Sequence, residues 1–335
     1  MNNIKWTFSR IDAANYCRMR YYLRYVEHEP PLNLSAYKKG ILLHDLIQYF
    51  WKKLGTEEEV EKTKNKKGGK KYYDSETFSE YAKGKWASEL EKFKKLKIKV
   101  EWRSEDEGWA IYNSLPKICT PLYETLIKEG RSLASELKFN FILRNIRFFG
   151  KIDEVRLRDG KVVVRDYKSG RPYIGEMKLN HDPQLTMYNV GLCSLCYSNR
   201  EFASSLGIGE DRKRFMGNPI FVNPEFEMEF FMVNDCSIHK TTRRDEHFFE
   251  IIQMINGTQK AVDEGNIYPE RGRKCDSCDM RKACESKLES AVIPLKGQTS
   301  FDFAIPSYVK PFEIVQAKSS KDKQRKFNFK RKTSY

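Results

Sequence analysis

Apolar residues recur at helical spacing in two stretches near the start of the chain, 11 to 27 (IDAANYCRMRYYLRYVE) and 36 to 54 (AYKKGILLHDLIQYFWKKL). They predict an N-terminal helical pair that carries Cys17 and His44. Thr56 to Lys71, with its Glu and Lys runs and Gly68-Gly69, reads as a loop. Further helices are expected over about 76 to 97 and 105 to 129. The period then changes to two, and Ser135 to Leu143, Arg147 to Leu157 and Lys161 to Lys168 read as three successive strands. A helix over 182 to 198, a strand over 220 to 233 and a helix over about 245 to 264 complete the pattern. Strands in the middle of the chain with helices on either side predict an α/β fold built on one sheet.

Asp159-Gly160 between two alternating runs is a strong hairpin signal, because a type I′ turn needs positive φ at both central residues. A two-residue loop pairs Arg158 with Lys161, and counting back along both strands sets Asp153 opposite Asp166. Their Cβ atoms would then lie roughly 4.5 to 5.5 Å apart on one face. Lys168 projects from that face too, and Val155, Leu157, Val162 and Val164 make the rest of it apolar. Two partly desolvated carboxylates so close repel unless a proton or cation lies between them. Hard oxygen ligands suit magnesium or manganese. A lone Asp-x-Lys is ordinarily a surface ion pair, but that reading leaves the second aspartate unexplained.

Gly150-Lys151-Ile152-Asp153 and Asp166-Tyr167-Lys168 together resemble the GxxD and (D/E)xK motifs of the PD-(D/E)xK nucleases. Gln184-Leu185-Thr186-Met187-Tyr188 is similar to the QxxxY motif of their RecB-like branch, His44 matches that branch's N-terminal histidine, and Glu136 matches the acidic residue one strand before GxxD. The resemblance implies a restriction-endonuclease-like core, a mixed central sheet flanked by helices, that hydrolyses phosphodiester bonds in DNA. It implies that Asp153, Asp166 and His44 hold Mg2+ or Mn2+, with Glu136 reaching the ion through water. Lys168 would orient the attacking hydroxide or stabilise the pentacovalent state, and Gln184 and Tyr188 would position the DNA.

Cys275, Cys278 and Cys284 form a CxxC with a third cysteine after five residues, a spacing that suggests a metal rather than a disulfide in an intracellular protein. Four thiolates hold zinc or a 4Fe-4S cluster, and spacing does not separate the two. The stretch from Ser9 to Tyr25 resembles the segment with the first cluster cysteine in AddB-type nucleases and CRISPR-associated iron-sulfur exonucleases, which implies a 4Fe-4S cluster on Cys17, Cys275, Cys278 and Cys284. Arg18 departs from that pattern, where proline is usual. A rival zinc centre would use Cys193, Cys196, Cys236 and His239, although Cys193 and Cys196 on an apolar helix, like Cys119, also read as small core residues.

Composition adds a partner and a compartment. Lys and Arg outnumber Asp and Glu 61 to 46, a formal charge of +15, which favours a polyanion such as DNA through counterion release. No apolar run approaches the roughly 20 residues that span a bilayer, and the N-terminus lacks a signal-peptide core, so a cytoplasmic protein is expected. No GxxxxGK[ST] loop is present, which excludes a P-loop helicase or ATPase. The expected organisation is an N-terminal helical region over 1–130, a nuclease core over 131–265, an iron-sulfur segment over 266–290 and an extension over 291–335. The extension ends in a basic arm, Lys318 to Tyr335, interleaved with Phe327 and Phe329. The leading expectation is an exonuclease preferring single strands, or a structure-dependent nuclease, in recombination, repair, replication or spacer acquisition. The alternatives are a catalytically silent DNA-binding subunit serving a helicase or integrase partner, and a zinc-stabilised regulatory or structural protein.

Overall fold

The computed structural model describes residues 4–53, 74–130, 132–170, 174–208 and 222–292. Its sheet is mixed: β1 (Lys5–Trp6), β2 (Ala134–Leu143), β3 (Ile146–Arg158), β4 (Lys161–Lys168), β5 (Glu227–Met232) and β6 (Ser237–Thr241). The long strand β3 organises it. Along one side β3 pairs antiparallel with β2. Along the other it meets β1 in parallel at Arg147 and Phe148, then β4 antiparallel from Glu154 opposite Arg165 to Arg158 opposite Lys161. Beyond β4 lie β5, parallel, and β6, antiparallel. Between β1 and β4, β3 has no strand partner on that side from 149 to 153 among the described residues, and Asp153 stands at the inner end of this gap.

The β2–β3 and β3–β4 hairpins close through two-residue turns with positive φ at each position, Arg144 and Asn145 at 47° and 64°, Asp159 and Gly160 at 52° and 74°. The Asp159-Gly160 turn and its pairing follow the expected register as far as Glu154 opposite Arg165. Leu157, expected on the core face, is 43% exposed beside the Asp159-Gly160 turn, at the tip of that hairpin.

The helices are α1 (Phe8–Tyr16), α2 (Arg18–Tyr25), α3 (Ser35–Lys53), α4 (Ser75–Lys95), α5 (Glu107–Glu129), α6 (Glu176–His181), α7 (Pro183–Ser198), α8 (Arg200–Ser205), α9 (Asp245–Asp263) and α10 (Arg281–Val292). One face of the sheet packs Phe148, Ile152, Val155, Val164 and Phe230 against Ile11 of α1, Leu185 and Tyr188 of α7 and Phe248 of α9. The other face packs Tyr167, Phe231 and Val233 against Leu43 and Phe50 of α3, Phe78 and Trp86 of α4 and Leu122 of α5. Burial on both faces is why the centre of β4 reads as a continuous apolar run rather than a strict alternation.

Several boundaries differ from expectation. The helix anticipated over 11–27 is two, because Cys17 adopts an extended conformation (φ −172°, ψ 128°) between them. The strand anticipated over 220–233 is Glu227–Met232. Strands β1 and β6 carried no readable alternation at two and five residues. The expected loop Thr56 to Lys71 and basic arm Lys318 to Tyr335 lie outside the described residues. The chain divides into two compact units, 1–287 and 288–335, and of the second only the end of α10 is described. Among the described residues no helix is long and apolar enough to cross a membrane.

Alternation slips at one rung. Phe148 and Ile152 of β3 face the α7 side, yet so does Val155, an odd number of residues further on. In β2, Leu137, Phe139 and Phe141 pack on that side, and so does Ala134. Both strands therefore change phase between Ser135 opposite Glu154 and Leu137 opposite Ile152, at the rung where Glu136 stands across from Asp153. Glu136 has φ +56°, a left-handed conformation that turns its side chain without inserting a residue. Next to this rung the sheet is tightly closed: a Cβ at Gly150 or Gly191 would lie 2.3 or 2.5 Å from the ring of Phe139, which is buried between β3 and α7. Gly150 of the GxxD motif is thus a packing requirement.

Candidate active site

The interrupted rung frees Asp153 from the ladder, and its carboxylate takes over the ladder's work. Oδ2 accepts a hydrogen bond from the backbone N–H of Tyr167 at 3.0 Å, and Oδ1 accepts one from the Tyr188 hydroxyl at 3.0 Å. The β3–β4 ladder ends one residue short of the expected Asp153–Asp166 pair, because a side-chain acceptor replaces the backbone one. Asp166 is 1% exposed and one of its oxygens lies 2.7 Å from Lys168 Nζ. Among the described residues neither Asp166 oxygen has an aligned hydrogen-bond donor. Burial, with a smaller push from Asp153, lifts the Asp166 carboxyl to about 6 against the pull of Lys168. For Lys168 burial opposes the charge, but Asp166 and Asp182 outweigh it and hold the ammonium above its ordinary pKa.

His44 reaches the same point from α3. Its Nε2 lies 2.8 Å from the carbonyl oxygen of Tyr167, which can only accept, so Nε2 carries a proton and Nδ1 is the ring nitrogen turned to the site. Nδ1 faces Asp153 Oδ2 at 3.7 Å. The Nδ1 edge of His44 and the carboxylates of Asp153 and buried Asp166 are the kinds of ligand that a divalent cation takes. Among the described residues no group of three or more His, Cys, Asp or Glu side chains is arranged to hold a metal ion.

Gln184 and Tyr188 sit one turn apart on α7 and are joined to this set. Gln184 Oε1 accepts from Lys168 Nζ at 2.5 Å, Gln184 Nε2 donates to the Tyr188 hydroxyl at 2.9 Å, and that hydroxyl donates to Asp153. The pair ties the lysine to the aspartate from within the protein. Glu136 is not brought to the carboxylates; it forms an ion pair with Lys151 on the outer side of β3.

Two residues escaped the sequence reading. Asp182 caps α7 by accepting from Gln184 N at 2.8 Å, is buried, and adds its charge to the field around Lys168. An Asp-Pro pair before a helical run is a recognisable start signal, so it was legible in principle. Tyr167, between the two motif residues, holds Asp153 with its N–H and His44 with its C=O, and its hydroxyl donates to the buried Glu154. Nothing in an Asp-x-Lys spacing announces that.

The cysteine clasp is assembled from α1–α2 and the chain after α9. Cys17, Cys275, Cys278 and Cys284 line one pocket, with Arg20, Arg271, Lys274 and Arg281 around it. All four thiols are free. Burial raises the pKa of Cys278 and of Cys284. Polar contacts close the clasp: Asp279 accepts from Arg20 at 2.6 Å and Arg24 at 2.7 Å, and Tyr16 and Lys274 exchange hydrogen bonds. The rival set does not assemble, since Cys193 and Cys196 are buried in the α7 core while Cys236 packs against the core on the other face of the sheet.

Similarity to known proteins agrees with this geometry. No curated protein sequence matches the chain. A crystal structure from Eubacterium rectale, provisionally described as an exonuclease, aligns with 72% of this chain and 82% of its own at 14% identity and a TM-score of 0.31. The family model for the PD-(D/E)XK nuclease superfamily matches residues 5–285, which takes in all the motif residues and all four clasp cysteines. The α/β chain with its mixed, helix-flanked sheet belongs to the PD-(D/E)XK nuclease superfamily.

Proposed function

We propose that this nuclease is a DNA exonuclease preferring single strands, with Asp153, Asp166 and His44 as ligands of one Mg2+ or Mn2+ ion. The observation that carries the reading is the Asp166 carboxylate, buried among the described residues without an aligned donor, with Asp153 and the Nδ1 edge of His44 beside it. A divalent ion there acidifies the attacking water and neutralises charge growing on the phosphate. Lys168 is a donor and not a base, because its neighbours keep it protonated; it hydrogen-bonds the phosphoryl oxygens as negative charge develops. Gln184, Tyr188 and Asp182 are positioning residues that act on the DNA through Lys168 and Asp153. Glu136 joins through water once its contact with Lys151 opens. A cytoplasmic location, a helicase or integrase partner and a place in recombination, repair, replication or spacer acquisition belong to the same reading and rest on family likeness.

The clasp holds a structural 4Fe-4S cluster in this reading. A single zinc ion needs four thiolates about 2.3 Å from one centre. The four cysteines line one pocket and the surrounding cations offset thiolate charge; the preference for a cluster over zinc rests on the family likeness of the Ser9 to Tyr25 segment.

The test is cleavage of end-labelled single- and double-stranded DNA by anaerobically purified protein with Mn2+, Mg2+ or EDTA. Metal-dependent shortening from an end, faster on single strands, is expected; internal cuts or metal-independent cutting would reject it. For the clasp, the protein should be brown and Cys278→Ala should melt at least several degrees lower; a colourless protein or an unchanged Tm counts against the cluster.

A further inference from the structure

The face of the β2–β3 hairpin that turns away from the core carries an arrangement the cleavage chemistry does not use. Before the phase change, Phe139, Phe141 and Phe148 point inward, so Lys138, Asn140 and Ile142 of β2 and Arg147, Phe149 and Lys151 of β3 share the outer face. Three rungs build it: Lys138 opposite Lys151, Asn140 opposite Phe149, and Ile142 opposite Arg147. Lys138 and Lys151 are exposed, and so are two large apolar side chains, Phe149 at 40% and Ile142 at 62%. Two like charges directly opposite in a ladder are destabilising, and an exposed phenylalanine beside them adds nothing to the core. Against three cations, this part of the hairpin offers one carboxylate, Glu136, already paired with Lys151.

Position supplies the rest. Lys151 is two residues before Asp153, and Phe149 four, roughly 13 Å along an extended strand. On the side toward the site, β3 is without a strand partner from 149 to 153 among the described residues. The phase change turns the Asp153 carboxylate toward Tyr188 of α7, so a strand with its reacting bond there would pass the unpaired edge of β3 and run on over Lys151 and Lys138 on the outer face, where the flat ring of Phe149 would meet the face of a base. Only an unpaired strand exposes base faces for such stacking.

We propose that this outer face is the platform for the single strand of DNA leading to the cleavage site, with Phe149 stacking on one base and Lys138 and Lys151 contacting two phosphates. The proposal rests on the nuclease reading of Asp153 and Asp166 and adds where the strand lies. It is tested in the full-length Asp166→Asn protein, so that binding is measured without cutting, with a labelled single-stranded oligonucleotide over a range of salt. Phe149→Ala is expected to raise Kd about 5- to 100-fold with little change in salt slope. Changing Lys138 and Lys151 together to Ala is expected to lower the slope of log K against log salt by about 1.4. An oligonucleotide made abasic near the scissile bond should lose affinity for the parent and not for Phe149→Ala. The lysine changes lie on exposed side chains, so they keep the test clear of any folding defect at Phe149. Unchanged Kd and slope in both variants, while Asp166 still supports cleavage in the wild type, would overturn the platform alone. Absence of single-strand binding and of cleavage would overturn the platform and the nuclease reading together.

Discussion

Strands β3 and β4 carry two sets of charges one residue out of step, and they are treated in opposite ways. Toward α3 and α5, Glu154, Arg156, Arg165 and Glu229 are buried, and each has a counterion. Arg165 donates to Glu229 at 2.6 Å and to both oxygens of Glu129 at 2.6 and 2.8 Å; Arg156 reaches Glu154 and Glu129; Arg158 reaches Glu229 and Glu227. At the neighbouring positions Asp153 and Asp166, acceptors gather, Lys168 lies 2.7 Å from Asp166, and among the described residues Asp166 has no aligned donor. Buried charge that serves the fold is compensated internally, whereas buried charge that serves chemistry is left short of a partner that arrives from solvent. Tyr167 joins the two sets, with its backbone in the site and its hydroxyl on Glu154.

The comparison breaks most sharply at Asp166. Asp166→Asn should cut cleavage by about 10^3-fold or more while Tm holds or rises, since a poorly compensated buried charge disappears. A variant that loses stability in step with activity would show that Asp166 is structural. Arg165→Ala should do the reverse, costing about 3–5 kcal/mol in urea unfolding because Glu229, Glu154 and Glu129 lose their shared guanidinium. A change well under 1 kcal/mol would mean that the network contributes nothing.

Tyr167→Phe sharpens the link between the faces. It removes the hydroxyl from Glu154 at about 1–2 kcal/mol and leaves the ring and backbone in place. If the network steadies the site, the Mg2+ concentration for half-maximal cleavage rises a few-fold; an unchanged midpoint alongside the stability loss would make the two faces independent.

The smallest effect is in acid. Burial works to raise the Glu129 pKa, but the hydrogen bond from Arg165 and the charges of Arg165, Arg156 and Arg158 prevail and hold it below the ordinary carboxylate value. A depressed folded pKa contributes stability above the unfolded value, near 4.3, that is lost as pH falls through the lower folded value. Wild type should therefore lose stability below about pH 4 more steeply than Glu129→Gln, by urea titration. Parallel curves would remove Glu129 from the account.

Sequence by itself determined what depends on short range. Alternation yielded β2, β3 and β4, and the Asp159-Gly160 turn the register of β3 against β4, and through it the neighbourhood of Asp153, Asp166 and Lys168. Helical spacing put Gln184 and Tyr188 on one face of α7, and cysteine spacing marked Cys275, Cys278 and Cys284, with Cys17 added by the family resemblance of its segment. The break at Cys17 was not legible, because both flanking segments keep helical composition and only the backbone at one residue departs. What tertiary structure alone decided is how groups distant in the chain meet. Gly191 and Gly150 clear room for Phe139, a shared rung of β2 and β3 shifts phase at Glu136, and that shift frees the Asp153 carboxylate to hold Tyr167. The pairing of Glu129 on α5 with Arg165 on β4, and of Arg20 with Asp279 across the clasp, follows the same logic. A charge's partner is set by which elements pack together, and neither residue carries that information in its local sequence.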